Sequence, residues 1–134
     1  MRETFSLCFV LALILPLMAD EKRKSPVAPN VVRVGNPAPR DAPTKEVEVS
    51  AKKYEYTPEI IQVPVNTLIR VHLTATDRDH GFELTSIKDS CVKFKPGEPA
   101  TLEFYADKAG TYEFKCCKVC GIHHGRMKGK LVVK

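Results

Sequence analysis

Tryptophan is absent from this 134-residue chain, and aromatic residues make up only 7% of it. No stretch shows a convincing helical period. Outside the first nineteen residues there is no long apolar run either. No segment matches a nucleic-acid-binding motif, so the modest net charge of +5 reads as a solubility feature rather than a nucleic-acid footprint. Five cysteines are too few for a disulfide-dense scaffold. With 43% apolar and 28% charged residues the composition is that of an ordinary globular protein, and the length allows one domain plus its ends.

Residues 1–19 begin with Met1-Arg2 and contain thirteen apolar residues from Leu7 to Ala19. A basic start, a short apolar core and a small final residue predict a secretory signal peptide cleaved after Ala19. A membrane span needs about 20 apolar residues, and Pro16 interrupts this run. An uncleaved amino-terminal anchor is the alternative. The expected location is periplasmic or otherwise exported, with no integral span in the mature form. No cysteine sits at the expected cut to carry a lipid anchor, and cleavage would remove Cys8.

Residues 20–44 hold Pro26, Pro29, Pro37, Pro39 and Pro43 among basic and small residues. They read as a proline-rich, disordered linker. From residue 45 to 134 the pattern turns to short alternating runs, strongest in Thr67-Leu68-Ile69-Arg70-Val71-His72-Leu73-Thr74-Ala75. Turn signals at Pro96-Gly97, Asp107 to Gly110 and Gly121 separate these runs. Short strands so spaced predict an all-β sandwich of about 90 residues.

The chemistry gathers in one loop. Cys116-Cys117-Lys118-Val119-Cys120-Gly121-Ile122-His123-His124-Gly125-Arg126-Met127 holds three of the five cysteines and two of the four histidines. Strand-like runs flank it on both sides. Thiolate, imidazole and thioether are soft or borderline donors, which select copper or zinc over calcium or magnesium. Cys116 and Cys120 can turn toward one point, with His124 and Met127 following, and Gly121 lets the chain turn tightly after the second thiol. A further imidazole is needed from elsewhere. His80, between the strongest strand and the next, is the candidate, whereas His72 lies within a strand and reads as a strand residue. His123 should face away from its neighbour His124.

The run Cys-x3-Cys-Gly-x2-His-x2-Met, with His80 36 residues before Cys116, resembles the binuclear CuA site of cytochrome c oxidase subunit II and nitrous oxide reductase. The resemblance covers residues 45–134 in outline. It implies a cupredoxin fold, a Greek-key β-sandwich. It also implies two coppers bridged by Cys116 and Cys120, with His80 and His124 as terminal ligands. Met127 would be a weak ligand to one copper, and the backbone carbonyl of Lys118 a ligand to the other. Asp77 matches an acidic residue often found in the family three before the histidine. A site with every position filled by protein implies an electron carrier, not an enzyme, serving a redox protein partner.

The chain departs from the family in lacking paired membrane helices before the domain and in lacking Trp. It also has Cys117 where a small polar residue is usual and Lys118 where an acidic one is common. Several alternatives stay open on the residues alone. One copper could be held by His80, Cys120, His124 and Met127, and zinc by Cys116, Cys120, His80 and His124. Copper storage or delivery is a second function, and an open-site enzyme a third. Cys91 and Cys117 could pair and leave the metal thiols free. From Glu113 to Lys134 there are six cations and one anion, which would steer an acidic partner.

Overall fold

The computed structural model describes residues 30–134, so the expected signal peptide and residues 20–29 lie outside the described part. Among the described residues, ten strands form two five-stranded sheets. The first sheet runs in the order β1 (Asn30–Val34), β8 (Ala100–Ala106), β5 (Thr67–Ala75), β2 (Thr44–Lys52), β3 (Glu55–Thr57). The second runs β4 (Ile60–Val63), β10 (Lys128–Val133), β9 (Gly110–Lys115), β6 (His80–Leu84), β7 (Val92–Phe94). Parallel pairs (β1 with β8, β2 with β5, β4 with β10) join the antiparallel ones in the sandwich that the alternating runs predict, with the cupredoxin-like arrangement that the resemblance implies. Among the described residues no helix is long and apolar enough to cross a membrane.

Strand β5 shows why these sequences pack as a sandwich. Its odd-numbered residues, Thr67, Ile69, Val71, Leu73 and Ala75, are all buried, while the intervening ones face outward. A period of two on a pleated strand does this without further instruction. The outward set includes His72, whose ring nitrogens meet Thr101 and Glu46 in a polar row that also carries Arg70, Glu103 and Arg33. The strand reading of His72 stands.

One expectation needs correction. Residues 20–44 do not form a linker throughout, because Asn30–Val34 is an edge strand in parallel register with β8, Asn30 opposite Ala100 and Val34 opposite Phe104. The domain therefore begins by residue 30. The prolines at 29 and 37 flank this stretch without entering it, and Val31, Val32 and Val34 are β-branched. Averaging proline over 25 residues hid a five-residue strand.

Beneath the metal-loop end of the sandwich lies an aromatic cluster. Phe82 and Phe114 stack at 4.8 Å, and Tyr56 meets both edge-on at 5.6 and 5.3 Å. Gly129 on β10 has to be glycine here, since a Cβ would collide with the Phe114 ring and the Glu59 carbonyl. Offset and edge-to-face ring contacts of this kind add about 0.5–1.5 kcal/mol per pair beyond area burial. They give the loop above a rigid floor.

Candidate metal centre

The loop from Cys116 to Met127 leaves β9 and returns into β10. Its ends are tied by the Cys116 N–H donating to the Met127 carbonyl at 3.0 Å. Within it Gly121 adopts φ +144°, and a Cβ there would lie 2.5 Å from the Tyr54 hydroxyl. Backbone freedom and close approach both require glycine at this turn. The chain then makes one 3₁₀ turn at His124–Arg126, which aims Met127 inward.

The donor atoms converge on the Cys120 sulfur. Cys116 Sγ is 3.6 Å from it, His124 Nδ1 3.7 Å and Met127 Sδ 3.7 Å. The Lys118 carbonyl oxygen lies 2.9 Å from Cys116 Sγ. His80 joins from the start of β6, and one of its ring nitrogens and the two sulfurs all lie within 4.8 Å of one another. Sulfur and nitrogen ligands of one tetrahedral ion, at bond lengths near 2.0–2.3 Å, stand roughly 3.5–3.8 Å apart, so these spacings suit a shared metal. All six expected donor residues are thus gathered in one place. His123 is exposed and turns away, its ring edge-on to Tyr54 at 5.2 Å.

His80 shows the clearest sign of a missing partner. It is fully buried, its Nε2 is 2.7 Å from Asp77 Oδ1, and its Nδ1 has no hydrogen-bond partner. A buried, unpaired ring nitrogen costs about 1–3 kcal/mol unless something binds it. With Nε2 protonated toward Asp77, Nδ1 keeps a free lone pair for a cation, the arrangement by which a carboxylate orients a metal-binding imidazole. Burial desolvates the Asp77 carboxyl. The Lys53 backbone N–H and the His80 ring more than offset this and hold its pKa below the usual value.

The thiols are also set for a cation. Burial, with the Cys116 thiol alongside, pushes Cys120 up to about 11. A metal ion would take the place of that proton. The other two cysteines of the domain are joined as the Cys91–Cys117 disulfide, which leaves Cys116 and Cys120 as free thiols.

Sequence reasoning missed Tyr56. Its hydroxyl donates to the Gly81 carbonyl at 2.6 Å beneath the thiols, and desolvation by burial, followed by the Cys116 thiol, raises its pKa so that it stays a neutral phenol. It also missed Lys53, whose N–H holds Asp77 Oδ2 at 2.8 Å. Alternation in Tyr54-Glu55-Tyr56 put Tyr56 on a strand, and nothing local marked it as the floor of a site.

The family model of the cupredoxin-like domain matches residues 9–133. The chain belongs to the cupredoxin-like domain family. Cytochrome c oxidase subunit 2 of Thermus thermophilus is 34% identical over 88 residues, which is 66% of this chain and 64% of that protein. The same-named protein of Chondrus crispus is 29% identical over 85 residues, 63% of this chain and 33% of its own. The matched part of this cupredoxin-like chain thus spans less than two thirds of these relatives. Among solved structures, a heme-copper terminal oxidase dimer contains a chain with a TM-score of 0.64 at 21% identity, covering 87% of this chain and 84% of that one. The periplasmic domain of cytochrome oxidase subunit II from Bradyrhizobium japonicum has a TM-score of 0.57 at 24% identity, covering 66% and 83%. At these identities the structural likeness is one of fold.

Proposed function

We propose that this cupredoxin-like domain is an exported electron carrier that holds two copper ions in a CuA-like centre. The carrying observation is the unpaired, fully buried Nδ1 of His80 beside two free thiols. Soft donors select copper, and the thioether of Met127 is a ligand that zinc does not need. The donor count favours two ions. Cys116 and Cys120 would each serve both ions, and four further donors (His80, His124, Met127 and the Lys118 carbonyl) would be enough for two four-coordinate ions. Such a centre supplies one-electron redox chemistry when loaded. The protein's part is to hold the donors in one geometry through both oxidation states.

A carrier suits the site better than an enzyme. Cys116, Cys120, His80 and Met127 are all buried and directed at one another, with no donor left to present an open position. The apolar side chains of the loop point outward instead, with Val119 75% and Ile122 94% exposed between donor residues. Lys118 and Arg126 on the same loop make no ion pair among the described residues. An apolar centre with a basic rim suits a redox protein with an acidic docking face. The likeness to oxidase subunit 2 supports copper and electron transfer together.

His80→Ala tests the reading directly. Copper titration followed by absorbance should show loss of the two-ion thiolate spectrum while the circular dichroism of the sandwich persists. An unchanged copper spectrum would remove His80 from the site and the reading with it.

A further inference from the structure

The Cys91–Cys117 disulfide stands outside the donor set yet against it. Cys117 follows Cys116, and Cys91 precedes β7, whose Phe94 pairs with His80 on β6. The β6–β9 ladder contains only Glu83 opposite Lys115 and Leu84 opposite Phe114. It stops short of His80. At that end the disulfide is the covalent tie between the His80 hairpin and the thiol loop. The contact is tight, since a Cβ on Gly81 would stand 2.6 Å from the Cys117 sulfur. An open cleft of ≈ 510 Å³ is lined by Cys91 and Cys117 together with Cys116, His124 and Met127. Solvent in this cleft therefore reaches the half-buried disulfide and His124, while Cys116 and Met127 stay buried at its inner wall.

We propose that Cys91–Cys117 is a redox-active site, opened by a dithiol electron donor entering this cleft, and that its oxidation state sets how firmly the loop holds copper. The coupling rests on the copper reading above, whereas the reactivity does not. Both cysteines are half-buried, and Gly81 packs close to the Cys117 sulfur, which makes Cys91 the proposed point of attack. A donor thiolate bonds to the Cys91 sulfur, the Cys91–Cys117 bond breaks, and Cys117 leaves as a thiolate that takes up a proton. The donor's second thiolate then attacks the donor sulfur of the mixed disulfide, closing the donor's own disulfide and releasing Cys91, which is protonated in turn. The donor is oxidised by two electrons and the cystine reduced by two. The two protons lost by the donor thiols are balanced by those gained at Cys91 and Cys117. With the tie open, Cys116 and the Lys118 carbonyl lose their fixed relation to His80. The oxidised domain keeps its copper, and the reduced one yields it to a competing ligand.

Two arms test this. In the first, the metal-free full chain carrying Cys116→Ser and Cys120→Ser is treated with dithiothreitol without denaturant and then with iodoacetamide. Peptide masses should show Cys91 and Cys117 labelled while circular dichroism remains native. Labelling only after denaturant overturns the reactivity. In the second, copper-loaded wild type and Cys91→Ser/Cys117→Ser are challenged with bathocuproine disulfonate as a copper(I) chelator. The variant should release copper about tenfold faster, on the scale of losing a support of metal ligands. Equal rates overturn the coupling. If the double variant does not fold, wild type reduced and alkylated at the cystine while copper protects Cys116 and Cys120 reads the same rate. A wild-type chain that takes up no copper overturns the copper reading and the coupling together, and the first arm still decides the reactivity.

Discussion

His80 carries two constraints at once. Asp77 fixes one side of its ring, and burial leaves the other side with no partner. Removing the fixing group should therefore weaken the site without dismantling it. Asp77→Asn is expected to lower copper affinity by about 10–100-fold, measured by competition against a chelator of known affinity. Met127→Leu should leave copper bound and shift the reduction potential, because a thioether would be a weak donor that tunes the metal. Loss of all copper in that variant would mean that Met127 holds the metal rather than tunes it. The residues that the structure brings together at the loop were legible in the sequence because donor type and local spacing within 116–127 mark them, and His80 was legible from its place between two strand-like runs. Asp77 was legible only through family resemblance. Lys53 and Tyr56 were not legible, because their parts depend on long-range contacts with Asp77 and Gly81 that no spacing encodes.

At the scale of elements, the loop is held by what surrounds it: the aromatic floor, the β9–β10 ladder and the disulfide to β7. Tyr56→Phe removes one buried hydrogen bond to Gly81 and keeps the ring packing. It should cost about 1–2 kcal/mol in denaturant unfolding. A cost near zero would mean that water replaces the hydroxyl. The strands were readable because a half-buried strand alternates, as β5 does over nine residues. The edge strand β1 was not, since its worth lies in covering the edge of β8 and in the Arg33–Glu103 contact at 2.9 Å, both distant in sequence. The pairing of Cys91 with Cys117 likewise depended on β7 lying beside the loop, a fact of topology.

Over the whole molecule, the loop end of the sandwich carries exposed apolar side chains at Val119 and Ile122. Lys115 pairs with Glu83 at 3.5 Å and Lys128 with Glu113 at 3.9 Å, whereas Lys118 and Arg126 on the loop make no ion pair among the described residues. Electron transfer to an acidic redox protein should slow as salt rises from about 0.01 to 0.15 M, as the screening length shrinks from about 30 to 8 Å. Lys118→Glu should flatten that dependence. A rate indifferent to salt would remove charge from the docking account and leave Val119 and Ile122 to carry it.

In the proposed centre two coppers would share one electron across Cys116 and Cys120. Copper analysis with electron paramagnetic resonance on the reconstituted, oxidised chain should find two coppers per chain, with hyperfine structure from one electron spread over both nuclei, and Cys116→Ser should lose that pattern. One copper per chain with a single-nucleus pattern, unchanged in Cys116→Ser, would make this a mononuclear site and overturn the two-copper centre.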